Sequence, residues 1–218
     1  MRKGYGDDEM KIELRGLSKS FGKQIIFDKF SIKIESGEMV SIMGKSGSGK
    51  TTLINILGLI EKIDEGDILY NDQLINSENQ KRKLLGEKIG FVFQNFGLID
   101  NETVYKNLVL VRQLQRKNKE TKRNCINIAL DKVGLNESYI NKQVFECSGG
   151  EQQRIAIAKI LLKNCDVIFA DEPTASLDSD NKMSVMNHLK ELHSLGKTVV
   201  IVSHDHDVCS FCDRVISI

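Results

Sequence analysis

The stretch "EMVSIMGKSGSGKTTLINILGLI", residues 38–60, constrains this chain more than any other. A continuous apolar run after Gly37 reads as a buried strand, and helical spacing of apolar residues resumes at Lys50. Between them, Gly44–Thr51 fits the pattern G-x-x-x-x-G-K-[ST] in the strand-to-helix setting that the pattern requires. Glycines let the backbone turn its N–H groups inward, and the helix N-terminus adds a dipole that favours an anion. The candidate phosphate ligands are therefore Gly44, Lys45, Ser46, Gly47, Ser48, Gly49, Lys50, Thr51 and Thr52. Lys50 is expected to reach β- and γ-phosphates, and the Thr51 hydroxyl to ligate Mg²⁺.

The rest of the chain supplies a scaffold for such a loop. "KIELRGL" and "FSIKI" alternate with period two and read as strands; "DILY" ends at a turn at Asn71–Asp72, and "IGFVFQ" reads as another strand. "DVIFAD", "TVVIVS" and "RVISI" are continuous apolar runs, the pattern of a parallel sheet covered on both faces. From Thr103 to Asn164 helical spacing takes over, with Ile126, Ala129, Leu130 and Val133 on one face and Gly134 as a stop. A further helix carries Val185, Leu189 and Leu192. The predicted fold is α/β: a phosphate-loop core with a mostly parallel sheet and an inserted all-helical subdomain. The whole of 1–218 is one domain in this reading.

Charge and cysteine content exclude several classes. Thirty-one basic against 30 acidic residues leave a net charge of +1, without the basic excess of a nucleic-acid binder. The cluster "RKNKETKR" at Arg116–Arg123 adjoins a helical pattern and reads as a solvated face. The longest stretch free of charge, Ile89–Ile99, falls short of the roughly 20 apolar residues of a spanning helix. Five scattered cysteines suit reduced thiols in a cytosol. Cys209 and Cys212 form a C-x-x-C without further ligands, and helical spacing would put both on one face as small apolar filler.

"VIFADEP" supplies a chemical partner for the loop. Four apolar residues bury a strand, and Asp171 emerges at its end, where open α/β sheets place ligand contacts. Asp171 is expected to hold Mg²⁺ through water. Adjacent carboxylates at a strand end are costly unless a cation and a reaction need them. Glu172 is accordingly read as the general base that polarises an attacking water, a role worth about 10²–10⁴-fold in rate. Surface acidity is the plainer alternative. A second glycine-rich turn before a helical pattern, "CSGGEQQR" from Cys147, lies well downstream of the first.

The loop, "SGGEQQR" and "DEP", in this order, resemble the ATPase subunit of an ATP-binding-cassette (ABC) transporter over essentially the whole chain. The resemblance implies ATP and Mg²⁺ as ligands, an N-terminal antiparallel β portion, an α/β core in 1–94 and 165–218 with the helical subdomain in about 95–164, and several further roles. Phe21 in "SKSFGK" matches the aromatic that stacks on adenine. Gln94 in "FVFQNF" matches the glutamine that touches Mg²⁺ and water and opens the helical subdomain. Asp178 in "ASLD" matches the aspartate of the dimer-contact loop, and His204 in "IVSHD" the switch histidine at the γ-phosphate. Ser148, Gly149, Gly150 and Glu151 match the signature turn, which in the family faces the γ-phosphate held by another copy's loop. Cys147 and Glu151 replace the most common leucine and glutamine there, glutamate being an accepted variant.

Among such ATPases the chain looks most like the stand-alone subunits of lipoprotein-release, macrolide-efflux and bacteriocin-export systems. "FVFQNFGLIDNETVYKNL" and "LLKNCDVIFADEPTASLD" lean to the bacteriocin-export, lactococcin-type branch. The implied partners are a second copy of the chain on ATP binding and a separate transmembrane permease, with no nucleic acid. The implied location is cytoplasmic, peripheral on the membrane's cytoplasmic face. A regulatory ATPase driving a membrane complex that controls cell-wall hydrolases is an open alternative. Relatives in DNA repair carry a long coiled coil that does not fit between Lys50 and Ser148, and translation-factor relatives usually carry two cassettes.

Overall fold

A computed structural model describes residues 10–218 apart from Gln94 and Ser176. The chain opens with a long hairpin, β1 (Ile12–Phe21) and β2 (Gln24–Ile34), and enters a second sheet through β3 (Met39–Met43). α1 (Lys50–Leu57) follows the glycine loop, and β4 (Glu65–Tyr70) and β5 (Gln73–Leu74) then return to the first sheet. Asn71 and Asp72 both have positive φ, +49° and +60°, the geometry of a two-residue hairpin turn between these strands. α2 (Glu78–Glu87) is closed by a capping box between Ser77 and Gln80, a helix that hydrophobic spacing did not reveal. β6 (Ile89–Val92) is shorter than its sequence pattern.

The next stretch is helical: α3 (Val104–Val109), α4 (Arg112–Gln115), α5 (Lys119–Lys132), two 3₁₀ turns at Glu137–Asn141 and Val144–Glu146, and α6 (Gly149–Lys163). Gly134, with φ +71°, follows the end of α5, and the basic cluster runs from the end of α4 into α5 on exposed or half-buried positions. The chain then alternates β7 (Val167–Asp171), α7 (Ser179–Ser194), β8 (Thr198–Val202), the single-turn α8 (His206–Cys209) and β9 (Arg214–Ser217).

Two sheets result. One is antiparallel in the order β2-β1-β4-β5, and the other is parallel in the order β6-β7-β8-β3-β9. Period-two alternation places the two faces of the parallel sheet in different cores. Val167, Phe169, Val200 and Val202 pack with α1 and the antiparallel sheet, whereas Ile168, Ala170, Val199 and Ile201 pack with α3, α5, α6 and α7. Burial on both faces is why these strands read as unbroken apolar runs.

Parallel pairing also sets the site. Ile42 and Asp171 both pair with Val202, so the C-terminal ends of β3, β8 and β7 come out side by side. Ligands of open α/β sheets bind at that edge.

The C-x-x-C does not share a helix face, because α8 ends at Cys209 and Cys212 lies in the following turn. Cys209 Sγ contacts Ser41 Oγ at 3.3 Å and Met43 Sδ at 3.1 Å. Burial pushes the Cys212 thiol up to about 12, so Cys212 behaves as a packing group.

Candidate functional site

The glycine loop is shaped by close approach as much as by torsion. A Cβ on Gly44 would stand 2.5 Å from both Ile218 O and Ser48 Oγ. Gly49 caps α1 at φ +95°, and a Cβ there would meet Ile26 Cγ2 at 2.5 Å. The first turn of α1 contains no acidic residue and receives no side-chain cap, so its N–H groups remain available to an anion. Lys50 Nζ lies across the loop, donating to Gly44 O at 2.8 Å and Lys45 O at 3.0 Å. The cavity beside it, about 330 Å³, is lined by Ser46, Gly47, Lys50, Thr51, Thr52 and Glu172 among others. Ser48 Oγ is buried without a partner, the sort of orphan that a phosphate oxygen would satisfy.

Thr51 Oγ1 donates to Asp171 Oδ1 at 3.5 Å, which brings the two expected Mg²⁺ ligands together. Burial pushes the Asp171 carboxyl up; the Thr51 hydrogen bond opposes this, the adjacent Glu172 charge adds to it and Lys50 offsets it. This oxygen pair, with Thr51 exposed and Asp171 half-buried, fits a hard divalent cation.

Glu172 stands in the left-handed region at φ +47°. Such a conformation costs a side-chain-bearing residue about 1–2 kcal/mol, and here its N–H is held by Val202 O at 2.9 Å. The twist turns the carboxylate across the strand ends, where Glu172 Oε1 meets His204 Nδ1 at 2.8 Å. His204 itself is mostly exposed, beyond the end of β8. Asp205 caps α8 and pairs with Lys182 of α7, which pins the segment next to His204. Lys182 carries no motif that would mark it in the sequence.

The remaining candidates separate into groups. Phe21 ends β1 opposite Gln24, half exposed at 49%, with Lys19 Nζ 4.8 Å from its ring centre. Phe21 does not line the cavity; Ile26 of the same hairpin does, and it lies outside the strands read from the sequence. Gln94 lies outside the described residues. Ser148, Gly149, Gly150 and Glu151 do not line the cavity either.

The second turn is built in its own right. Ser148 caps α6 with a full capping box: its Oγ accepts the Glu151 N–H at 3.3 Å, and Glu151 Oε2 accepts the Ser148 N–H at 2.7 Å. Ser148 and Gly149 are exposed, while Cys147 beneath them is buried. Gly150 is required by packing, since a Cβ would stand 2.4 Å from Asn181 Oδ1. That oxygen accepts from Arg154 Nη1 at 2.9 Å, and Asn181 donates through its N–H and Nδ2 to the two Asp178 carboxylate oxygens. Asn181 thus ties the second turn to Asp178. A separate groove of about 330 Å³ is lined by Phe91, Phe93, Leu110, Arg112, Lys159 and Lys163 among others. Burial lowers the pKa of both lysines.

A family model described as "ABC transporter" matches residues 27–175. The chain is 38% identical to an uncharacterized ABC transporter ATP-binding protein, MJ1508 of Methanocaldococcus jannaschii, covering 95% of both. It is 35% identical to the macrolide export ATP-binding/permease protein MacB of Pasteurella multocida, over 94% of this chain but only 32% of that relative. Solved structures of the cassette MJ0796 superpose with a TM-score of 0.86 at 37% identity, covering 95% of this chain and 94% of that one. One solved state of that cassette is a dimeric post-hydrolysis form bound to ADP and Pi. With the fold, the loop and the two strand-end carboxylates in place, the chain belongs to the ABC transporter family, as one of its ATPase domains.

Proposed function

We propose that the chain is the ATP-hydrolysing subunit for a separate membrane permease, and that two copies close on ATP to drive export of a peptide or bacteriocin. The observation that carries the hydrolytic part is the Glu172–His204 pair beside the cavity that holds Lys50 and Thr51. The N–H groups of Gly47–Thr51 and the Lys50 ammonium bind the β- and γ-phosphates of ATP. Thr51, Asp171 and Gln94 would hold Mg²⁺, which supplies neutralisation of phosphate charge when bound. Glu172 takes a proton from the attacking water as its oxygen bonds to the γ-phosphorus and the bond to the β-phosphate oxygen breaks, releasing ADP and phosphate. His204 orients Glu172 and donates to the γ-phosphate. Phe21 stacks on adenine. Asp178 and the turn at Ser148–Glu151 meet the second copy.

In this reading the domain spans 1–218, with its α/β core in 1–94 and 165–218 and the helical subdomain in about 95–164. The groove at Phe91, Arg112 and Lys159, close in sequence to Gln94, receives the permease. Among the described residues no helix is long and apolar enough to cross a membrane; the peripheral place on the cytoplasmic face follows from the proposed role beside a separate permease. The peptide cargo rests on the resemblance of residues 91–108 and 161–178 to bacteriocin exporters. Macrolide or lipoprotein efflux is the second reading, favoured by the similarity to MacB.

Glu172→Gln tests the base. It should retain ATP binding, lose turnover by at least about 10²-fold and accumulate an ATP-bound dimer on gel filtration. Near-native hydrolysis would remove Glu172 from the role. Cells carrying this variant should also lose a secreted peptide by mass spectrometry; an unchanged peptide profile with altered macrolide tolerance would favour the second reading.

A further inference from the structure

The second glycine turn carries a carboxylate where its proposed role requires an anion to arrive. Glu151 lies in the first turn of α6, directly after the glycines. Both of its oxygens are engaged: Oε2 accepts the Ser148 N–H at 2.7 Å, and Oε1 accepts the hydroxyl of Tyr139. Tyr139 comes from the 3₁₀ turn Glu137–Asn141, outside every motif of the sequence, and Lys142 Nζ lies 4.0 Å from its ring centre. The Tyr139 hydrogen bond, against burial, holds the Glu151 carboxyl below its ordinary value, so at neutral pH it is an ion. Ser148 Oγ accepts the Glu151 N–H, which leaves the serine proton free to donate outward. A carboxylate released from this clamp would repel a phosphate approaching Gly149 and Gly150.

We propose that Tyr139 is a positioning residue for the second turn: its hydroxyl holds Glu151 in its capping place, and so lets a carboxylate serve a turn that must receive an anion. The proposal rests on the reading that Ser148–Gly150 closes on a nucleotide held by a second copy. It gives Tyr139, which touches no nucleotide, control over closure without control over binding.

The test uses sedimentation velocity of the Glu172→Gln protein with ATP and Mg²⁺. Adding Tyr139→Phe should weaken ATP-driven dimerisation about tenfold, with the monomer's affinity for ATP unchanged. Adding Glu151→Gln to that variant should restore the dimer, because an amide oxygen still accepts the Ser148 N–H and the charge is gone. Tyr139→Phe without effect, or an effect that Glu151→Gln fails to rescue, would overturn the proposal. Should Tyr139→Phe lower the Tm of the nucleotide-free monomer, the rescue still decides, since Glu151→Gln cannot repair lost packing. Ser148→Arg tests the underlying reading separately. If it dimerises as well as its parent, the two-copy reading fails; if it abolishes the dimer while Tyr139→Phe is silent, the Tyr139 role alone fails.

Discussion

Glu172 and Cys147 depart from local preference for opposite reasons. Glu172 has a left-handed backbone that a side chain disfavours, retained at a strand end where its carboxylate meets His204. Strain of this kind persists when the surroundings over-determine it, and the Val202 bond does so here. Cys147 is unstrained and buried, with Sγ 3.8 Å from Gln143 O, and its thiol is pushed up mainly by burial and further by the Glu151 charge. A thiol so shifted is a poor nucleophile at neutral pH. Cys147→Leu should therefore fold and hydrolyse ATP, with overpacking costing at most about 1–3 kcal/mol in urea unfolding. A folded, inactive leucine variant would give the thiol a role of its own. Lys50, Thr51, Asp171 and Glu172 were legible because phosphate and cation chemistry fixes residue type and spacing. Ile26, Lys182, Tyr139 and Asn181 were not, because any strand or helix position of suitable size would look the same; only tertiary placement gives them a role.

At the scale of elements, local chemistry was legible wherever a motif closes on itself. The Asn71–Asp72 turn, the Gly134 stop and the buried strands follow from sequence. α2 escaped notice although its Ser77–Gln80 capping box is written in the chain, because Leu84 is its only buried residue and periodicity had nothing to register. The C-x-x-C misled in the other direction: spacing suggested a shared helix face, and α8 stops at its first cysteine. The junction of α6 and α7 shows what spacing cannot carry. Asn181 receives Arg154 from α6 and donates to Asp178 at the start of α7, over a glycine that leaves it room. Asn181→Ala should lower stability by about 1–2 kcal/mol in urea unfolding. Its double-mutant cycle with Arg154→Ala should give a coupling of about 0.5–1.5 kcal/mol. Strict additivity would mean that the two elements are held by apolar packing alone.

For the whole molecule, the α/β class, the antiparallel portion and the helical segment were readable, whereas the strand order β6-β7-β8-β3-β9 was not. That order depends on which strands cross over, and buried parallel strands of similar composition do not announce their neighbours. It nevertheless decides the site, since β8 between β7 and β3 brings His204 beside Glu172 at the strand ends. The same topology leaves Ser148–Glu151 off the cavity that Lys50 lines. If each ATP site takes Lys50 from one copy and Ser148 from the other, Lys50→Ala and Ser148→Arg should each give homodimers without an intact site. Mixing them should create heterodimers with one doubly damaged site and one intact site, because the undamaged loop then faces the undamaged turn. If both turns served a site within one chain, no mixture would contain an intact site. The readout is ATP trapped per confirmed heterodimer in the Glu172→Gln background, which does not require the permease or turnover. One nucleotide per mixed dimer is the expected result, and none would show that the two glycine turns do not meet across copies.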